Sequence, residues 1–216
     1  MSISAYKTLT KAPASGAPLV FAFHGTGGDE HQFAQLVGQI LPDAGLVSPR
    51  GDVSEHGALR FFRRTGEGVY DMADLAERTE KMAGFVAAHK AAHPDSPVYG
   101  LGYSNGANIL AAVILKHPDL FDRAALLHPL IPWQPADNPG LAESEILITA
   151  GRRDPIAPVP YTDRLADYLK SQNGKVTLQY HDGGHEIRAD ELAALRTFLT
   201  AQAPAEVRKP TANRVA

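Results

Sequence analysis

Val98-Tyr99-Gly100-Leu101-Gly102-Tyr103-Ser104-Asn105-Gly106-Ala107-Asn108-Ile109-Leu110 decides how this 216-residue chain folds. The apolar run Val98 to Leu101 reads as a buried strand, and Ala107 to Leu115 has helical character. Between them lies Gly-x-Ser-x-Gly, the form of a nucleophile elbow at a strand-to-helix junction. A turn that sharp tolerates little bulk beside the serine. It lifts the Ser104 hydroxyl clear of the backbone and aims the next amide at whatever the oxygen attacks. By composition alone the pattern turns up in roughly one chain in fifteen of this length. The flanking strand and helix therefore carry the reading against that of an ordinary glycine-rich turn.

Outward from the elbow, apolar segments alternate between strand and helix character. Leu19 to Phe23 is a continuous β-rich run, and a helix opening at Asp29 puts Phe33, Leu36, Val37, Ile40 and Leu41 on one face. Gly45 to Ser48 is a short strand. A polar loop then leads to a long helix striped by Met72, Leu75, Thr79, Met82 and Val86, closed before Pro94. After the elbow come strands at Ala124 to Leu127, Ile146 to Ala150 and Val176 to Tyr180. Helices are marked by Leu165, Tyr168 and Leu169, and by Leu192, Leu195, Phe198 and Leu199. Short, wholly apolar strands between amphipathic helices predict an α/β fold: a mostly parallel central sheet with helices on both faces. Ser4 to Leu9 is expected to add an edge strand. Residues 1–201 are expected to form a single domain and 202–216, which lack an apolar period, a flexible tail.

Composition narrows the function classes. Hydrophobic residues at 44% and charged residues at 21% describe a globular chain, and a net charge of -3 argues against a nucleic-acid surface or a polybasic membrane site. With no cysteine, disulfides, thiolate metal sites and a Cys nucleophile are excluded. No leader-like segment and no run of about 20 apolar residues occurs, so the expected location is the cytoplasm.

In such a sheet, ligands gather at the carboxyl ends of the strands. Those ends deliver His24-Gly25-Thr26-Gly27-Gly28-Asp29, Pro49-Arg50-Gly51, Ser104, His128-Pro129, Gly151-Arg152-Arg153-Asp154 and His181-Asp182-Gly183-Gly184-His185. A serine hydroxyl needs an adjacent base, and the base needs an orienting group. Ser104, Asp154 and His185 follow the order nucleophile, acid, base expected here. The competing reading of Asp154 is a turn-former in Asp-Pro, and that of His185 a surface histidine capping the last helix. His181 is the rival base, but it continues its strand, whereas Gly183 and Gly184 let the chain bend ahead of His185. The oxyanion hole needs two preorganised amides, assigned to Asn105 and Thr26. A phosphate-cradling loop is the competing reading of Gly25 to Gly28, which matches neither G-x-G-x-x-G nor a P-loop.

With these motifs together, the chain resembles an α/β-hydrolase of the phospholipase/carboxylesterase group, which includes acyl-protein thioesterases, over nearly its whole length to about residue 200. Ser48-Pro49-Arg50-Gly51 and Arg60-Phe61-Phe62-Arg63-Arg64 resemble a narrower bacterial branch associated with hydroquinone and aromatic-compound metabolism. The resemblance implies Ser104, Asp154 and His185 as a catalytic triad, with Thr26 and Asn105 lining the oxyanion hole. Members of the group usually carry Gln after the serine and an aliphatic residue after His-Gly, where this chain has Asn105 and Thr26. That departure falls on the acyl pocket, since backbone amides do the chemistry. A homodimer is implied by likeness alone.

The length leaves no room for a large cap domain, so a shallow pocket for small or flat esters is expected. Arg63 and Phe62, with Arg60, Phe61 and Arg64, could hold a carboxylate or an aromatic ring. The same arginines could instead form ion pairs with Glu67, Asp71 or Asp74. His128 and Trp133 could line the pocket or merely pack. No metal or organic cofactor is implied. The expected reaction is ester hydrolysis through an acyl-enzyme. A thioesterase or lysophospholipase with the same triad is the alternative. A non-catalytic ligand receptor would be expected to lack a triad member.

Overall fold

The computed structural model describes residues 2–201. In chain order the elements are β1 (Thr8–Lys11), β2 (Leu19–Phe23), α1 (Ala34–Ile40), β3 (Gly45–Pro49), β4 (Val53–Glu55), β5 (Ala58–Arg60), β6 (Arg64–Gly66), β7 (Val69–Tyr70), α2 (Met72–Ala92), β8 (Val98–Tyr103), α3 (Asn105–Lys116), β9 (Arg123–Leu127), β10 (Glu145–Gly151), α4 (Val159–Ser171), β11 (Lys175–His181) and α5 (Ala189–Thr200). Seven strands form one sheet in the order β1-β3-β2-β8-β9-β10-β11. Every pairing in it is parallel except that of β1 with β3.

The wholly apolar strands earn their place by being covered twice. Leu19, Phe21 and Phe23 of β2 face a core shared with α2, α3 and α4, while Val20 and Ala22 face a second core shared with α1 and α5. All five are fully buried. Phe21 sits edge-on to both Phe85 and Phe121, at ring separations of 6.3 and 5.9 Å, the kind of core site where truncation to Ala costs about 3–5 kcal/mol. No helix among the described residues is long and apolar enough to cross a membrane.

Three expectations change. The helix expected from Asp29 begins only at Ala34, because the Asp29 carboxylate accepts the His31 amide and holds the preceding residues in turns. The edge strand lies at Thr8–Lys11 rather than Ser4–Leu9. Tyr6 is instead buried, with its ring edge-on to Phe85 and the Lys81 ammonium 4.3 Å from its centre. The polar loop before α2 holds two small antiparallel hairpins, β4–β5 and β6–β7, turning through Gly57 and Gly68 at positive φ. The tail expected at 202–216 lies outside the described residues.

Candidate active site

The elbow is built by close approach. A Cβ on Gly106 would stand 2.1 Å from the Phe23 carbonyl oxygen, and one on Gly102 would stand 2.5 Å from the carbonyl oxygen of Gly106. Only glycine lets the first turn of α3 pack that tightly on β2 and β8. Ser104 itself has φ 52° and ψ −119°, a region that costs a non-glycine residue about 1–3 kcal/mol. Its amide donates to Leu127 and its carbonyl accepts from Asn108, so the strained residue is pinned on both sides.

The structure brings Ser104, Asp154 and His185 together from three strand ends. Ser104 Oγ is 2.8 Å from His185 Nε2, and His185 Nδ1 is 2.6 Å from Asp154 Oδ2. The other Asp154 oxygen accepts the amides of Ile156 and Ala157 at 2.8 and 3.0 Å. Burial alone would raise the Asp154 pKa, but the hydrogen bonds from His128, His185 and Ala157 hold it well below the usual carboxylate range. The Tyr103 hydroxyl donates to the His185 carbonyl at 2.7 Å and fixes the loop that carries the base.

Thr26 and Asn105 flank Ser104 in one cleft. Asn105 is the first residue of α3, where amides have no partner within the helix. Its side chain is buried and accepts the Phe61 amide at 2.8 Å, tying the elbow to the segment after β5. Thr26 Oγ1 accepts from Arg60 Nη1 at 2.8 Å, and Gly27 donates to Leu59, so the β4–β5 hairpin holds the glycine loop. His24 is structural. Its Nδ1 donates to Gly25 and its Nε2 accepts from Gly51, while burial pushes its pKa down.

Of the three residues expected to bind substrate, His128 lines the cleft with Ser104, while Phe62 and Arg63 lie outside it. Phe62 is fully buried, edge-on to Tyr70 and beneath Arg60, and offers no surface to a ligand. Arg63 pairs with Asp71 and Asp74 at 3.4 and 3.2 Å and lines a separate depression with Val53 and His56. His128 backs the floor of the cleft, but its side chain is fully buried, with Nδ1 2.9 Å from Asp154 Oδ2. Arg60 and Arg64 do border the cleft, each neutralised by Glu55 and Arg64 also by Glu67. His181 is buried away from Ser104, against Glu191. Sequence reasoning missed Tyr70, whose hydroxyl accepts from Asn108 and donates to Leu130, and Glu191, which lies behind Asp154. Asn108 carried the available signal, as the second asparagine of Ser-Asn-Gly-Ala-Asn.

A serine, histidine and aspartate in contact at the carboxyl edge of a mostly parallel sheet agree with the comparisons. The family profile described as "Serine aminopeptidase, S33" matches residues 15–144. The chain belongs to this family of α/β-hydrolases. The hydrolase is 36% identical over 182 residues to "Putative hydrolase MhqD" of Bacillus subtilis, covering 83% of this chain and 91% of that protein. Among solved structures, it is similar to Atu2452 of Agrobacterium tumefaciens, a protein of unknown function, with 53% identity, a TM-score of 0.86, and 92% and 98% of the two chains covered. It is also similar to the Bacillus cereus carboxylesterase, with 30% identity, a TM-score of 0.83, and 90% and 93% covered.

Proposed function

We propose that this hydrolase is a serine carboxylesterase acting on small or aromatic carboxylic esters through an acyl-enzyme. The observation that carries the reading is the continuous contact from Ser104 Oγ through His185 to Asp154, at 2.8 and 2.6 Å. Similarity to a carboxylesterase of Bacillus cereus supports the ester as substrate.

Ser104 Oγ attacks the ester carbonyl while His185 Nε2 takes its proton, and Asp154 stabilises the imidazolium that forms. The carbonyl oxygen becomes an oxyanion held by the Thr26 and Asn105 amides. Collapse of this intermediate expels the alcohol, which takes the proton back from His185. Water then attacks the acyl-enzyme with His185 as base, and the carboxylic acid leaves as Ser104 regains its proton. The cleft over Ser104 offers about 30 Å³, close to one water, between Tyr70, Leu130 and Ile156. That favours short acyl groups.

Labelling by a fluorophosphonate and hydrolysis of p-nitrophenyl acetate test the assignment. Ser104→Ala is expected to abolish labelling and to lower turnover by about 10⁴-fold or more. Wild-type protein that neither labels nor hydrolyses short esters would remove the proposal.

A further inference from the structure

Packed against Asp154, at and below the floor of the cleft, are three buried ionisable side chains, His128, His181 and Glu191, that the acyl-transfer steps do not use. Asp154 Oδ2 faces two imidazoles, His185 at 2.6 Å on the cleft side and His128 Nδ1 at 2.9 Å on the inner side. His128 Nε2 is 3.0 Å from Glu191 Oε1, and Glu191 Oε2 is 3.0 Å from His181 Nε2. The side chains of His128, Asp154, His181 and Glu191 are all at most 1% exposed. They come from four elements: the end of β9, the loop after β10, the end of β11, and the first turn of α5.

The Gly183 amide donates to His181 Nδ1 at 2.9 Å, so a neutral His181 carries its proton on Nε2, which stands 3.0 Å from Glu191 Oε2 and 3.5 Å from His128 Nε2. The Arg188 amide donates to that Glu191 oxygen, at 2.8 Å. Glu191 Oε2 accepts that amide while Oε1 accepts no hydrogen bond, and, against burial, the contacts with His128 and Arg188 hold its carboxyl below the usual range. His128 then has a carboxylate oxygen near each ring nitrogen, hydrogen-bonded to Asp154 at Nδ1 and in ion-pair contact at Nε2 with Glu191 Oε1, which accepts no hydrogen bond; two flanking anions suit an imidazolium. Burial would by itself keep His128 neutral, but the contacts with Asp154 and Glu191 outweigh it and push its pKa up to about 9. The same atoms do not suit a metal ion, because a cation on His181 Nε2 would leave a ring with no proton to give and a bonded Nδ1, an imidazolate. His128 also holds a left-handed backbone at φ 51°, a strain that the surrounding contacts sustain.

We propose that His128 is a positioning residue: through Asp154, and anchored by Glu191, it fixes the carboxylate that orients His185 and sets the pH at which the His185–Asp154 pair becomes active. The inference rests on the serine-hydrolase reading of Ser104. The groups facing His128 are Asp154, Glu191, His181, His185 and the edge of the Tyr103 ring. Of these only His185 would gain a positive charge during turnover. Its ring centre is 5.1 Å from that of His128. Two unit charges at that distance, at an effective dielectric of about 20, disfavour each other by about 2 pH units, and solvent at the partly exposed His185 reduces this to about 1. A permanent cation at His128 therefore opposes the charge that His185 gains during turnover.

The test is the pH dependence of kcat/KM for p-nitrophenyl acetate, and of the fluorophosphonate labelling rate, in wild type and His128→Gln. The acid limb of both profiles should move up by about 1 pH unit in the variant, so that labelling near the wild-type midpoint falls several-fold. If His128→Gln does not fold, His128→Gln/Glu191→Gln removes the buried pair together, and the same upward displacement is expected. Profiles that superimpose on wild type in a folded variant would overturn the proposal, whatever happens to melting temperature. Nitrogen-15 NMR of the wild-type imidazoles supplies a readout independent of both folding of variants and activity. His128 should carry protons on both ring nitrogens at pH 7, and a ring protonated on one nitrogen only would also overturn it. Wild type that neither labels nor hydrolyses would instead count against the serine-hydrolase reading, with the NMR result still deciding the state of His128.

Discussion

Asp154→Asn exchanges one carboxylate oxygen for an NH₂ with almost no change in volume, and the structure dictates which way the new amide must face. Asp154 Oδ1 accepts the amides of Ile156 and Ala157, so the asparagine keeps its oxygen there. Its NH₂ then replaces Oδ2 and points at Nδ1 of both His185 and His128. His185 can meet that donor only by giving up its Nδ1 proton and carrying hydrogen on Nε2, the nitrogen that must accept from Ser104. The base is then in the wrong tautomer. In other serine hydrolases such a swap lowers turnover by about 10⁴-fold, equivalent to about 5.5 kcal/mol of barrier. At His128 the new amide faces a second N–H, and an unmatched buried pair of donors costs a further ~1–3 kcal/mol of stability. Steady-state turnover of p-nitrophenyl acetate, with a thermal melt on the same sample, reads both effects. A folded Asp154→Asn protein within tenfold of wild-type turnover would refute the assignment of Asp154 as the group that orients His185.

Other perturbations probe the scaffold and the corrected residues. Gly106→Ala places a Cβ 2.1 Å from the Phe23 carbonyl oxygen, which is backbone and cannot swing away, so soluble yield should collapse or the melting temperature fall by several degrees. A Gly106→Ala protein as stable as wild type would contradict the close packing of α3 on β2. His128 has a folded pKa of about 9 against an ordinary 6.5, so its stabilisation is complete below pH 6.5 and is lost as pH rises through 9. Chemical denaturation should show stability falling over that window by on the order of 3 kcal/mol, and His128→Gln should flatten the curve. Arg63→Ala removes a side chain paired with Asp71 and Asp74 outside the cleft, so turnover of neutral and acidic esters should both stay within about twofold of wild type. A selective loss on acidic esters would restore Arg63 as a binding group.

The strands and the elbow were legible because each leaves a local mark. β2, β8, β9 and β10 read as unbroken apolar runs since both faces are covered, and the glycines at 102 and 106 are demanded by contacts under 3 Å. The hairpins between Val53 and Tyr70 left no such mark, because strands of two or three residues show no period and their pairing depends on where the loop is held. Phe62 and Arg63 show the same limit. A side chain's residue type indicates what it can bind, but not which way the bend at Phe61 and Phe62 turns it. Phe62 turned into the core and Arg63 outward to Asp71 and Asp74, while Arg60 and Arg64 came to border the cleft.

His128 carries this reasoning furthest. Its place after an apolar strand marked it as a residue near the site, and its chemistry suggested contact with substrate. Neither property reveals that Glu191, 63 positions later on a helix, would be laid against its far nitrogen. A carboxylate buried to that depth must be paired, and the residue it pairs with also touches the acid that orients the base. Burying two anions around one imidazole leaves the net charge beside His185 at minus one rather than minus two, and moves the second negative charge one ring farther from the reacting atoms. A general base works best when its affinity for protons is matched to the working pH, and the role proposed for His128, a cation beside the acid that contacts His185, is of that kind.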